Sequence, residues 1–191
     1  MTTPQVPFAL HQYSYEEYLT YERASELKHE YIGGEIVAMA GGSRRHSALA
    51  ANVTIALGAT RPSGCIVFQS DLRIRILASG VATYPDVSMV CGPTEVDPAD
   101  PSGETITNPT LVVEVLSAST EQIDRGFKWQ QYQRIPSLQE YVLVSQASPR
   151  VEIYRRLAVD RWEYVDVKEG TVQLSSGATL DLAMLYADLP V

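Results

Sequence analysis

Positive charge is scarce in this chain. Its 191 residues hold 15 Lys and Arg against 23 Asp and Glu, a net charge of −8. Such a balance excludes a protein that coats nucleic acid non-specifically, because that affinity comes from basic side chains neutralising phosphates. Any nucleic-acid contact has to be local. The candidate basic spots are Arg44-Arg45, Arg73 with Arg75, Arg125 with Lys128, and Arg150, Arg155, Arg156 and Arg161, and each reads first as a solvated face. Cysteine is scarce too: Cys65 and Cys91 stand alone, with no C-x-x-C spacing and no His/Cys cluster. That argues against a zinc site and against a disulfide framework, so both are expected as reduced core thiols. No apolar segment approaches the roughly 20 residues of a membrane helix, and Met1 to Phe8 lacks the basic and apolar stretches of a signal peptide. A cytoplasmic protein with no membrane partner is expected. Repeats and low-complexity tracts are absent, and the one linker-like stretch, residues 92–108, reads as a mobile loop between two strands. The expectation is therefore one domain over residues 1–191.

What is present is a regular alternation of helix and strand signals. Ser14 with Glu17 three residues on forms a capping-box pattern for a helix over Ser14 to Ala24. Gly33-Gly34 separates Glu30-Tyr31-Ile32 from Glu35-Ile36-Val37-Ala38-Met39 and predicts a hairpin. Ser43 predicts a helix start, with Leu49, Val53 and Leu57 on one stripe and Gly58 closing it. Strands are predicted over Ile66 to Ile76, Asp86 to Val90 and Leu111 to Leu116. A helix follows, capped by Ser119 and stopped at Ile135 by Pro136, and then a strand at Glu140 to Val144, a unit that should make a parallel pair. Val151 to Arg155 and Trp162 to Val167 read as a closing β-meander. The fold class is α/β, a mixed central sheet flanked by helices.

Within Leu111-Val112-Val113-Glu114-Val115-Leu116 both faces of the strand are apolar, the mark of a covered central strand, so Glu114 is expected to be buried. An unpaired buried carboxylate costs several kcal/mol, roughly, and persists only if protonated, ion-paired or metal-bound. Asp86, after Pro85, opens a second apolar run. From Glu114 to Ser119 the chain covers about 16 Å extended, and from Ser119 to Lys128 about 13.5 Å as helix. Lys128 therefore returns to the level of Glu114. Asp124, Lys128 and Tyr132 share a helical face, with Ile123 and Phe127 as the apolar anchor beside them. Each residue also has a plain reading: Lys128 pairing with Asp124 on a solvated face, Asp86 capping a turn, Glu114 neutralised by a buried Arg. Together they favour a site. Two converging carboxylates repel unless a divalent cation sits between them, and an all-oxygen site selects Mg²⁺ or Mn²⁺. With a nearby ammonium, that set suits phosphodiester hydrolysis.

Pro85-Asp86, Glu114 in its apolar strand and Asp124-Arg125-Gly126-Phe127-Lys128 resemble the PD-(D/E)xK nuclease superfamily. The ordered set of Gly34-Glu35-Ile36, His46, Tyr84-Pro85-Asp86, Val113-Glu114-Val115-Leu116-Ser117 and Glu140-Tyr141 resembles more closely the Uma-two family of bacterial restriction-type endonucleases, over most of the chain. The resemblance implies a restriction-endonuclease-like core, Asp86 and Glu114 as metal ligands, and a lysine completing the site. The lysine expected two positions after the acid is Leu116 here, and Lys128 on the helix matches the position that takes its role. Glu35 and His46 match further family positions, as an extra ligand or a water-holding base. The resemblance also implies a nucleic-acid partner, with DNA the expected one. A homodimer is expected because two-fold symmetry is the commonest assembly and the meander offers sheet edges. The competing reading is a binding or scaffold module that kept the fold after its chemistry decayed.

Overall fold

In the computed structural model, which describes residues 11–39 and 41–190, the order of elements follows local sequence signals closely. The stretch Met1 to Phe8, read above for a leader, lies outside the described residues. α1 (Tyr15–Ala24) begins at Ser14, whose hydroxyl accepts from the Glu17 amide while the Glu17 carboxylate accepts from the Ser14 amide. β1 (His29–Ile32) and β2 (Glu35–Ala38) form the expected hairpin. Its two-residue turn, Gly33-Gly34, has positive φ at both positions, the requirement of a type I′ turn that β-carbon-bearing residues meet poorly. α2 (Arg44–Thr60) starts at the Ser43 cap and buries Leu49, Val53 and Leu57. It runs two residues past Gly58, the expected stop, and ends where Arg61, restricted by the following Pro62, turns extended.

The long strand expected over Ile66 to Ile76 is two strands. β3 (Cys65–Gln69) and β4 (Arg73–Ile76) are separated by a turn in which the Leu72 amide donates to the Gln69 carbonyl. Ser70 and Asp71 supply the turn chemistry, and the two halves join different sheets. β5 (Val81–Thr83), β6 (Val87–Cys91), β7 (Thr105–Ile106) and β8 (Leu111–Leu116) follow. The stretch 92–108, expected to be a mobile loop, is stitched down. β7 pairs with β4, the Asp97 amide donates to the Thr105 carbonyl, and buried Arg73 donates to buried Asp100 at 2.8 Å. The helix before β9 (Glu140–Ser145) does not start at a Ser119 cap: its N-cap residue is Thr120, with no side-chain cap bond, and the Ser117 hydroxyl accepts from the Thr120 amide in the turn that leads into it. α3 (Glu121–Ile123), a π-helical turn (Asp124–Lys128) and α4 (Trp129–Tyr132) run on continuously. β10 (Val151–Ala158), β11 (Arg161–Val167), β12 (Thr171–Gln173), β13 (Thr179–Asp181) and α5 (Leu182–Leu185) close the chain.

The strands form a six-stranded sheet in the order β11-β10-β9-β8-β6-β3, a five-stranded sheet in the order β2-β1-β5-β4-β7, and the β12-β13 pair. Both larger sheets are mixed: β8 and β9 are parallel, as the intervening helix predicts, and so are β4 and β7. The six-stranded sheet is covered on both faces. Val113 and Val115 join the α2 stripe and the C-terminal Leu180, Leu182 and Leu185 on one side, while Val112 and Leu116 join Ile74, Ile76 and Tyr132 on the other. Alternation therefore sends Glu114 to the second face, between the six-stranded sheet and the helix.

The cysteines correct the sequence reading. Cys65 and Cys91 are register partners at the end of the β3–β6 ladder and form a disulfide. Strand pairing across 26 residues of separation created the proximity, which the bare spacing did not show. Among the described residues no helix is long and apolar enough to cross a membrane.

Candidate active site

Strand register brings the two acids together. β6 and β8 are antiparallel with Val87 opposite Val113, and continuing that register by one residue sets Asp86 beside Glu114. Asp86 is fixed by its neighbour strand: the Val115 amide donates to its Oδ2 at 2.7 Å, and His46 Nε2 lies 3.1 Å from the same oxygen. His46 reaches it from the first turn of α2. Gly42 permits the approach, since a β-carbon there would lie 2.8 Å from His46 Nδ1. Hydrogen bonding to Asp86 raises the pKa of His46 above its ordinary value against the opposing effect of burial.

Glu114 is 3 % exposed and accepts through Oε1 from Lys128 Nζ at 3.0 Å and from the Tyr132 hydroxyl at 2.9 Å. Burial pushes its pKa up to about 8; the Lys128 charge opposes this, and the nearby Asp86 and Asp124 add to it. Lys128 is itself buried among three acids, 3.0 Å from Glu114, 3.4 Å from Asp124 and 3.5 Å from Glu30. Burial disfavours its charge, but the three carboxylates outweigh that and hold it protonated. The solvated Lys128–Asp124 pair considered from sequence is instead an interior one. Both residues lie on the π-helical turn, an irregularity that π-bulges often bring to functional sites. Among the described residues buried Asp124 Oδ1 accepts no hydrogen bond, and it meets the Lys128 ammonium only as an ion pair at 3.4 Å.

These side chains line a cavity of about 800 Å³. The structure brings Asp86, Glu114, Lys128 and His46 into it, and leaves Glu35 out. Glu35 sits opposite Ile32 at the turn end of the hairpin and is exposed, about 6.6 Å further along β2 than the lining residue Val37. Glu30, which sequence reasoning passed over, takes the acidic place from the hairpin, accepting from the Thr83 hydroxyl and facing Lys128. The signal for it was available: Glu30 shares a strand face with Ile32, which packs on the core. Ile123, expected to anchor the helix, is 48 % exposed and turns to the cavity. Gln146 is a second omission. It accepts from the Ser43 hydroxyl, donates to the Leu116 carbonyl, and through its own carbonyl accepts from Arg45, bracing α2 against the ends of β8 and β9.

The basic spots are mostly consumed. Arg45 also donates to the Pro190 carbonyl, Arg75 lies 3.4 Å over the Tyr15 ring, Arg125 pairs with Glu121 and Glu152, Arg150 with Asp166 and Arg155 with Glu140. Of the pair at the α2 start, Arg44 is the exposed member and Arg45 is half-buried.

Whether these residues suit a divalent cation can be judged from their free atoms. The bonds to Asp86 fall on Oδ2 and those to Glu114 on Oε1, leaving one oxygen of each without a protein partner among the described residues. No group of three or more His, Cys, Asp or Glu among the described residues is gathered as a ready-made cage. Mg²⁺ does not require one, since it usually takes one or two carboxylates and completes its shell with waters and substrate phosphates. The donor set fits.

A model of the Uma2 (Uma-two) family, described as "Putative restriction endonuclease", matches residues 15–187. Two uncharacterized proteins of Synechocystis sp. are similar in sequence. One, slr1290, is 42% identical over 155 residues, 81% of this chain and 78% of its own length; the other, sll1609, is 37% identical over 150 residues, 76% and 82% respectively. A crystal structure described as a putative nuclease belonging to DUF820, from Anabaena variabilis, superposes with a TM-score of 0.70 over 92% of this chain and 98% of that one. At 21% sequence identity, that likeness speaks for the fold.

Proposed function

This chain belongs to the Uma2 family of restriction-endonuclease-like proteins, and from that membership we propose that the cavity hydrolyses phosphodiester bonds in DNA with the help of Mg²⁺ or Mn²⁺. The reading is carried by one juxtaposition: two cavity-lining carboxylates on adjacent strands, each with one oxygen that no described protein group bonds, beside a buried lysine that is held charged. Asp86 and Glu114 would hold the ion through those oxygens. When bound, it supplies Lewis-acid polarisation of a phosphoryl oxygen and acidifies a water.

The remaining tasks fall to the chain itself. Lys128 presents a compact, fixed positive charge where negative charge grows on the phosphate in the transition state, the kind of preorganised group that costs no reorganisation during reaction. Tyr132 keeps its proton, because burial pushes its pKa well up, and so remains a donor that fixes the Glu114 carboxylate. His46 orients Asp86 from the opposite side. Sequestration between two sheets and a helix excludes bulk water from these contacts and strengthens them.

The test is metal-dependent cleavage of DNA by the purified chain, with thermal unfolding in Mn²⁺ as an activity-independent readout. The wild type should cut and should gain thermal stability with metal, since a ligand that binds only the folded state stabilises it. Asp86→Asn should lose both. Equal metal responses in the two proteins, or residual cleavage that Asp86→Asn shares, would move the site elsewhere.

A further inference from the structure

The mouth of the cavity is built for something other than a rod of phosphates. Among the described residues Lys128 is the one Lys or Arg that lines it, and three carboxylates already surround it. Of the arginine pair beside the mouth, Arg45 spends its guanidinium on backbone carbonyls. A protein that grips duplex DNA makes on the order of six to ten phosphate contacts, and this rim cannot supply them. Instead it offers apolar side chains: Ile123 from the helix, 48 % exposed, and Val37 from the hairpin, 39 % exposed. Ser117 and Thr120, whose hydroxyls bond to each other at 2.8 Å, line the same cavity. Apolar walls with a few hydrogen-bonding groups are how a base removed from its stack is held, and a neutral base avoids the repulsion that further phosphates would meet from the acids at Glu30, Asp86 and Asp124.

Resting on the nuclease reading above, we propose that the substrate enters as an unpaired nucleotide, from a single strand or from an unpaired position in a duplex, with its base between Ile123 and Val37 and a single phosphate at Lys128. A cavity of about 800 Å³ lies within the range of sites that enclose small molecules. Intact duplex is then a poor substrate, since its bases stay stacked and its remaining phosphates find few basic partners at this rim beyond exposed Arg44.

The experiment uses three labelled DNA oligonucleotides of one sequence: a single strand, a perfect duplex, and a duplex with one unpaired nucleotide. Binding is read by fluorescence anisotropy with metal withheld, and cleavage is read separately in Mg²⁺ against Asp86→Asn. The single strand and the interrupted duplex should bind about tenfold more tightly than the perfect duplex, the scale of one base contact, and cleavage should map to the unpaired position. Ile123→Ala, at an exposed site where folding should survive, should remove most of that preference and leave perfect-duplex binding unchanged. Equal or better binding and cutting of the perfect duplex overturns this inference while leaving the nuclease reading intact, as does a preference that Ile123→Ala does not alter. No binding and no cleavage with any of the three overturns both.

Discussion

Replacing Lys128 by Met removes a charge and keeps most of the side chain's bulk, so its consequence is electrostatic. From sequence alone the change looks harmless to folding, because the alternative partner is Asp124 on a wet surface. The structure argues otherwise. The ammonium lies 3.0, 3.4 and 3.5 Å from Glu114, Asp124 and Glu30, and Glu114 is almost wholly buried. Removing one partner from a buried pair costs about 3–5 kcal/mol, because the remaining charge is stranded. The stranded group has one escape, which is to bind a proton. Glu114 already holds its proton up to about pH 8 against 4.5 for the unfolded chain, and losing Lys128 raises that further. Its contribution to stability is therefore full below about pH 4.5 and is lost as pH rises through the folded value, since over that window the folded state binds more protons. Urea unfolding of Lys128→Met against wild type should show a deficit of about 3–5 kcal/mol at pH 8.5 that shrinks by up to about 1 kcal/mol at pH 5.5. Adding Glu114→Gln should recover much of the loss at the higher pH, a coupling that a double-mutant cycle reads directly. A deficit under about 1 kcal/mol at pH 8.5 would refute this reasoning. So would a loss independent of pH.

Other consequences are equally direct. Reducing the Cys65–Cys91 bond, or Cys91→Ser, should lower stability by about 3.5 kcal/mol, the loop-closure value for a separation of 26 residues; urea midpoints with and without dithiothreitol check it, and identical midpoints would deny the bond. Proton NMR titration should place His46 above its ordinary value of 6.5, with stability from the His46–Asp86 contact present below 6.5 and lost as pH rises through the raised value. Asp86→Asn should bring the titration back down. Arg73→Met should strand buried Asp100 and lower the melting temperature by roughly 10 °C, on the scale of 2–4 °C per kcal/mol for a chain of this size. An unchanged melting temperature would mean that the stretch 92–108 is not held as described.

Sequence by itself settled what local rules can settle. The Ser14 capping box, the Gly33-Gly34 turn and the α2 stripe are short-range devices whose energies do not depend on distant parts of the chain, and each formed where its residues say it should. The burial of Glu114 was legible for a related reason: a strand apolar on both faces must be covered on both faces. Even the return of Lys128 followed from rise per residue. Tertiary structure decided the remainder, because it depends on which strands become neighbours. The turn at Ser70-Asp71 sends β3 and β4 into different sheets, and nothing local in an alternating run reveals that its halves find different partners. Pairing of β3 with β6 joined Cys65 to Cys91, and docking of the hairpin brought Glu30 to Lys128 while leaving Glu35 at the turn. Alternation fixes which face an acid takes, but the distance along the strand to the site is fixed only when the sheets pack, and that distance separates Glu30 from Glu35.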